Sequence, residues 1–257
     1  MLKALIFDVD GTLADTEDAH RAAFNAAFKD AGLPWHWSPS EYTRLLDVSG
    51  GKERIWKYWR EIDSGIASTI NTQAKLDDIH NRKTRHYEAL VERGHVPMRP
   101  GMVRLIKESF AAKVPMAIAT TTTPANIDVL LRSSLGRDWR KHFKVVRDGH
   151  TDANKKPAPD VYFSALRELG FKGEQCLAVE DSHNGLIAAR AASVPTLITP
   201  TSYTAAHCFD GALQVLDHMG DPDNPLAQNL PGMAKRWVDL EALRLWHKAA
   251  RTEHAAS

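Results

Sequence analysis

The residues of this chain that could do chemistry stand where short apolar runs stop. The first run, Leu2-Lys3-Ala4-Leu5-Ile6-Phe7, ends in Asp8-Val9-Asp10-Gly11-Thr12. A bounded run rich in Leu, Ile and Phe reads as a buried parallel strand. Asp8 then falls at its carboxyl end, where open α/β sheets bind ligands. Two carboxylates two residues apart at an apolar mouth repel each other and are costly to desolvate. A bound cation relieves both problems, and hard oxygen ligands suit Mg²⁺. Gly11 lets the backbone turn, and Thr12 offers a hydroxyl and an N–H to an anion. An Asp-Gly turn after a strand is common in any chain, so the motif needs support from elsewhere.

Three later positions supply it. Thr120 ends the apolar run 115–119, where its hydroxyl can hold a phosphate oxygen or simply cap a helix. Lys156 lies in Lys155-Lys156-Pro157-Ala158-Pro159-Asp160, where two prolines stiffen the approach to a helix. A lysine held there can neutralise a phosphoryl oxygen and a carboxylate, whereas a free lysine pair in a loop would only be solvated. Glu180-Asp181 again puts carboxylates at the end of an apolar run, followed by Ser182 and Gly185. Each site has an ordinary structural explanation alone. Together, on consecutive elements of one sheet, they point to phosphate and metal chemistry.

The elements that must position them follow from periodicity. After the first strand, residues 14–96 hold no convincing buried strand. They read as four helices: one capped by Asp15 or Thr16 and running through His20, Phe24 and Phe28, one opened by Ser38-Pro39, one carrying Ile55, Trp56 and Trp59, and one over 71–92. From residue 97 the pattern alternates: helix 102–113, strand 115–119, helix 123–131, strand 143–146, helix 160–169, strand 176–179, helix 184–192, strand 196–198. That alternation predicts a doubly wound parallel sheet of α/β class, with a small helical unit inserted after the first strand. The boundaries are 1–14 and 97–257 for the core and 15–96 for the insert. The tail from Leu216 is less regular and ends in a helix over 238–250.

Composition excludes other classes. The 257 residues carry a net charge of +1, with 43% hydrophobic and 25% charged residues, as in ordinary globular proteins. That charge leaves no footprint for nucleic acid or an anionic membrane. No apolar run approaches a membrane span, and the strand at residue 2 leaves no room for a leader, so a cytoplasmic enzyme is expected. The two cysteines, Cys176 and Cys208, are expected as buried free thiols.

The motifs Asp8-Val9-Asp10-Gly11-Thr12, Thr120, Lys156-Pro157 and Glu180-Asp181 resemble, in order, the four signatures of the haloacid dehalogenase (HAD) superfamily. The helical insert resembles the small cap of the branch containing β-phosphoglucomutase and sugar phosphatases. Asp15-Thr16-Glu17, His20, Ser49-Gly50-Gly51-Lys52-Glu53-Arg54 and Asn81-Arg82-Lys83-Thr84-Arg85 look most like the CbbY-type phosphatases, associated with the Calvin cycle and with xylulose-1,5-bisphosphate. The resemblance implies a Mg²⁺-dependent phosphatase. Asp8 would be the nucleophile and Asp10 the general acid and base. Thr120 and Lys156 would hold the reacting phosphoryl group. The metal would take Asp8, the Asp10 backbone carbonyl and Asp181, with Glu180 bound directly or through water. Glu17 and His20 are expected to face the sugar. Lys52 and Arg85 are the expected partners of a second phosphate, beside Gly51 and with Tyr42 as a hydroxyl contact. Arg54, Arg82 and Lys83 read as solvated helix charges. The expected partner is a small sugar phosphate, with no nucleic acid or membrane, and the chain is expected to be a monomer. A sugar phosphomutase, a monophosphate phosphatase or a silent binding protein on the same fold are the alternatives.

Overall fold

The computed structural model describes residues 1–66 and 68–254; Ala67 of the expected insert and the last three residues of the expected core lie outside them. Six strands form one sheet in the order β3-β2-β1-β4-β5-β6. They are β1 (Ala4–Phe7), β2 (Met116–Ala119), β3 (Val145–Arg147), β4 (Cys176–Glu180), β5 (Thr196–Ile198) and β6 (Gln214–Val215), and every neighbouring pair is parallel. The two-residue β6 was not expected, because two residues carry no periodicity. It is held beside β5, with Leu197 opposite Gln214 and Ile198 opposite Val215.

Side-chain alternation in the strands decides how the helices cover the sheet. Leu5, Phe7, Met116, Ile118, Leu177 and Val179 pack on one face with α5 (Met102–Ala111), α6 (Pro124–Leu135) and α9 (Leu240–His254). Ala4, Ile6, Ala117, Ala119 and Ala178 pack on the other with α7 (Asp160–Leu169) and α8 (His183–Ala191). Bulky residues on one face and mostly small ones on the other let two helical layers bury a parallel sheet from both sides. Phe7 lies opposite both Ile118 and Val179. The carboxyl ends of β1, β2 and β4 are therefore level, and Asp8, Thr120 and Glu180 emerge on one rim.

Between β1 and α5 run α1 (Glu17–Asp30), α2 (Pro39–Leu45), α3 (Gly51–Ile62) and α4 (Ile70–Glu92). The Ser38 hydroxyl accepts the Glu41 N–H at 3.2 Å, and Thr69 and Thr72 form a reciprocal cap at the start of α4. Phe24, Phe28, Trp37, Tyr42, Leu45, Ile55, Leu76 and Ile79 make a third buried cluster, with Trp56 and Trp59 partly buried against it. Ala19, Ala23, Tyr87 and Val91 instead join the main core. The two linkers run side by side, with the Asp15 N–H on Pro97 O at 3.3 Å and the Arg99 N–H on Leu13 O at 2.9 Å. The Arg99 guanidinium donates to four carbonyls, those of Gly11, Thr199, Pro200 and Asp217, at 2.6–2.9 Å.

Both cysteines are free; Cys176 is buried as expected, but Cys208 is exposed on the loop after β5. Among the described residues, no helix is long and apolar enough to cross a membrane.

Candidate active site

At the end of β1 the chain turns sharply through Gly11, whose φ is +77°. A Cβ there would sit 2.3 Å from Asp181 Oδ2, so only glycine lets the loop and the Asp181 carboxylate lie this close. Thr12 does not reach the cavity: it is fully buried, and its hydroxyl has no partner.

Lys156 joins three strand ends. Its Nζ donates to Asp8 Oδ1 at 2.7 Å, to Ala119 O at 2.8 Å and to Glu180 Oε1 at 2.6 Å. Glu180 Oε1 also accepts from the Tyr162 hydroxyl at 2.5 Å, while Glu180 Oε2, equally buried, has no partner. Burial opposes the charge on Lys156, but the Asp8 and Glu180 carboxylates outweigh it and hold its pKa above the usual lysine range. Asp8 is pushed up to about 7 by burial, with Lys156 pulling the other way. Asp181 is pushed well above the carboxylate range by burial and then by Asp8 and Glu180.

These groups test the fit of a metal. Among the described residues, Asp8, Glu180 and Asp181 offer buried carboxylate oxygens within 4.8 Å of one another. Three carboxylates with one lysine among them, two displaced toward protonation and one with an orphan oxygen, form an all-oxygen set short of positive charge. A hard divalent cation fits that set.

Asp10 points the other way. Its Oδ1 lies 2.9 Å from His20 Nε2, and His20 Nδ1 lies 2.9 Å from Lys83 Nζ. An ammonium can only donate, so His20 Nδ1 accepts and the ring proton sits on Nε2, donating to Asp10. Burial and the Lys83 charge lower the His20 pKa and keep the ring neutral, against the pull of Asp10. Burial would raise the Asp10 carboxyl, but His20 and Lys83 outweigh it and hold it below its usual range. Lys83 itself is pulled down to about 8, chiefly by burial. Its Nζ lies 5.1 Å from the ring centres of both Phe24 and Tyr87, and Tyr87 stacks on His20 at 4.1 Å. These aromatic faces partly replace lost hydration.

A cavity of about 400 Å³ joins the two sets. Of the expected residues, Asp8, Asp10, Glu17, His20, Gly51, Thr120, Lys156 and Asp181 line it. Gly51 starts α3, and a Cβ on it would lie 2.6 Å from His80 Nε2, which packs over it. Tyr42, Lys52 and Arg85 are not among the lining residues. Lys52 is exposed and paired with Asp77 at 2.5 Å, and Arg85 is exposed. Tyr42 is wholly buried; its hydroxyl donates to Glu17 Oε2 at 2.7 Å and accepts from Arg54 Nη1 at 2.9 Å. The cations that do line the cavity from the insert are Arg54 and Lys83, both buried rather than solvated. Arg82 is the solvated one, paired with Asp78.

The helical period shows why. Arg54 is three residues beyond Gly51 and shares its face, which Lys52 does not. On α4 the buried positions are Thr72, Leu76, Ile79, His80, Lys83, Tyr87 and Val91, a stripe that includes Lys83 and passes Arg85 by. His80, Asn126, His183 and Asn184 also line the cavity without having been singled out. His80 lies on the same stripe, whereas the other three come from the first turns of α6 and α8, with no periodic signal.

A sequence model of the haloacid dehalogenase-like hydrolases matches residues 2–193. The CbbY protein encoded on a plasmid of Cupriavidus necator is 56% identical over 98% of this chain and 99% of its own length. CbbY of Rhodobacter capsulatus is 46% identical over 82% of this chain and 91% of its own. The crystal structure of a CbbY variant from Rhodobacter sphaeroides in complex with xylulose-1,5-bisphosphate superposes with a TM-score of 0.79 at 42% identity, covering 85% of this chain and 95% of that one. On the family model's match and on the identity to the CbbY proteins over nearly their whole length, the chain belongs to the haloacid dehalogenase-like hydrolases, in the branch formed by the CbbY proteins.

Proposed function

We propose that this HAD-type phosphatase removes one phosphate from xylulose-1,5-bisphosphate, with Mg²⁺ bound, through an aspartyl-phosphate on Asp8. One observation carries the reading. A single cavity is lined at the sheet rim by Asp8, Thr120 and Lys156 and on the insert side by Arg54 and Lys83. A bisphosphate needs cationic groups at both ends, and a relative binds this one.

In the proposed reaction an Asp8 carboxylate oxygen attacks phosphorus, the bond from phosphorus to the sugar oxygen breaks, and Asp10 gives that oxygen a proton. Water then attacks the phosphorus of the aspartyl ester, Asp10 takes the water's proton, and Asp8 and inorganic phosphate are released. Lys156 and Thr120 hold the phosphoryl oxygens as charge develops. Asp8, Glu180, Asp181 and the Asp10 backbone carbonyl would hold Mg²⁺, which supplies positive charge against the repulsion between carboxylate and phosphate. At rest, His20 and Lys83 favour the ionised Asp10 that the second half-reaction needs. A phosphate dianion entering beside it favours the protonated form that the first half needs. The insert acts as a cap on the linkers near Leu13–Asp15 and Val96–Pro100, bringing His20, Glu17 and Arg54 to the sugar. The Arg54 guanidinium receives the distal phosphate, in place of Lys52 and Arg85.

The test is phosphate release from xylulose-1,5-bisphosphate. Chelation should stop it and Mg²⁺ restore it. Asp8→Asn should lose at least about 10⁴-fold and form no phosphoprotein. Near-normal turnover by Asp8→Asn, or full activity after exhaustive chelation, overturns the chemistry. Recovery of the phosphate on a different sugar carbon overturns hydrolysis in favour of a mutase.

A further inference from the structure

One residue of the third buried cluster does not come from the insert. Every fully buried member lies between Phe24 and Ile79 except Tyr203, which sits on the loop after β5 and is only 7% exposed. Its hydroxyl donates to the Asp18 carboxylate and accepts from Arg21 Nε at 3.2 Å, both on α1. Its ring meets Tyr42 edge-on, 5.7 Å between centres at 89°. Tyr42 in turn holds Glu17 and Arg54, which line the cavity, whereas Tyr203 does not.

The loop that carries Tyr203 is braced on the sheet. The Thr199 N–H donates to Glu180 O at 2.8 Å, and Arg99 holds the carbonyls of Thr199 and Pro200. The Thr201 N–H donates to the Thr204 hydroxyl at 2.8 Å, and the Tyr203 N–H donates to the Thr201 hydroxyl at 3.2 Å. The same turn aims Thr204 Oγ1 at Asp181 Oδ2, 3.4 Å away. The bracket thus reaches from the carboxylate trio to the middle of the insert's own core.

We infer that Tyr203 is a positioning residue, supplied by the sheet domain, that sets Tyr42, Glu17 and Arg54 for the distal end of the substrate whenever the insert is seated. A rigid loop pressing an aromatic edge on Tyr42 fixes the rotamer through which two cavity groups are hydrogen-bonded. Lifting the insert would pull that ring out of an apolar cluster, so seating and alignment come from the same contact. The inference rests on the proposed bisphosphate substrate for its kinetic arm only.

The experiment compares Tyr203→Ala and Tyr203→Phe on xylulose-1,5-bisphosphate and on p-nitrophenyl phosphate, which has no distal phosphate. Tyr203→Ala should lose about tenfold in kcat/KM on the bisphosphate, mainly through KM, and less than about twofold on the aryl ester. Tyr203→Phe keeps the ring and should recover most of the loss. Combining Tyr203→Ala with Arg54→Ala should cost little more than Arg54→Ala alone, because both act on one group. Backbone amides of α1 and α2 should exchange faster in Tyr203→Ala, with those of β1 and β4 unchanged. Equal losses on both substrates, additive losses in the double variant, or unchanged exchange overturn the inference. If the wild-type enzyme does not act on the bisphosphate, the proposed function fails, and the exchange result still decides whether Tyr203 seats the insert.

Discussion

The cavity has two walls built on opposite plans. On the sheet side, Lys156 sits among Asp8, Glu180 and Asp181, a net negative set from level strand ends. On the insert side, Lys83 reaches Asp10 through a neutral His20, on a bed of Phe24 and Tyr87. The same residue type is driven in opposite directions: close carboxylates hold Lys156 above the usual range, whereas burial pulls Lys83 down to about 8. One lysine is bound by its anions and the other is kept charged at a cost. The first wall grips charge, and the second sits near a protonation threshold.

Removing each lysine is the sharpest way to break that comparison. Lys156→Met leaves Asp8 and Glu180 buried without their cation. It should lose about 10³-fold in kcat and about 3–5 kcal/mol of stability, read by urea unfolding in the presence of chelator. Unchanged stability would mean that the sheet-side network is not held together by this charge.

Lys83→Met should lose about 10²-fold in kcat yet stay within about 1 kcal/mol of the wild type at pH 7, because an apolar chain replaces a charge that burial disfavours. The sign of the pH effect follows from the lowered pKa. Between pH 8 and the usual lysine value of about 10.4, the unfolded chain binds more protons than the folded one, so this group makes stability rise with pH across that window. In the same window activity falls, as the ammonium that fixes the His20 proton on Nε2 is lost. An alkaline limb centred near pH 8 should therefore appear in kcat/KM, which reports the free enzyme, for the wild type and vanish in Lys83→Met. A limb of equal position in both would assign it to another group.

The smallest effects separate cavity cations from surface ones. Arg54→Ala should cost about 30-fold in kcat/KM on the bisphosphate, as expected for losing a charge-assisted hydrogen bond in a closed site. Lys52→Ala and Arg85→Ala should change it less than about twofold, since an exposed pair such as Lys52–Asp77 contributes little. Comparable losses for Lys52 and Arg54 would return the distal phosphate to the start of α3.

The two walls also differed in how far the sequence disclosed them. Asp8, Thr120 and Glu180-Asp181 each follow an apolar run, so a parallel sheet brings them to one rim without further information. Lys156 was readable because two prolines mark its loop. On the insert side the groups converge from α1, α3 and α4, and linear order does not say which face of each helix turns inward. Choosing Lys52 and Arg85 followed charge and a glycine pair. The apolar stripe through Leu76, Ile79, Tyr87 and Val91 would have chosen Lys83 instead. Tyr42 was named for its hydroxyl, but that hydroxyl is already spent on Glu17 and Arg54. Tyr203 had no signal, because its partners lie some 160 to 185 residues earlier in the chain.

The aromatic packing of the insert has a consequence for how the protein can be watched. Of the seven tryptophans, Trp35, Trp37, Trp56 and Trp59 lie in or against the insert's cluster, beside Tyr58. Trp37 is wholly buried and its indole N–H has no partner. The insert thus carries most of the chain's tryptophans in and against one buried cluster, which Tyr203 joins from the sheet domain through Tyr42. Emission wavelength and quenching should follow the seating of the insert directly, giving an optical signal of substrate engagement that needs no attached dye and no turnover.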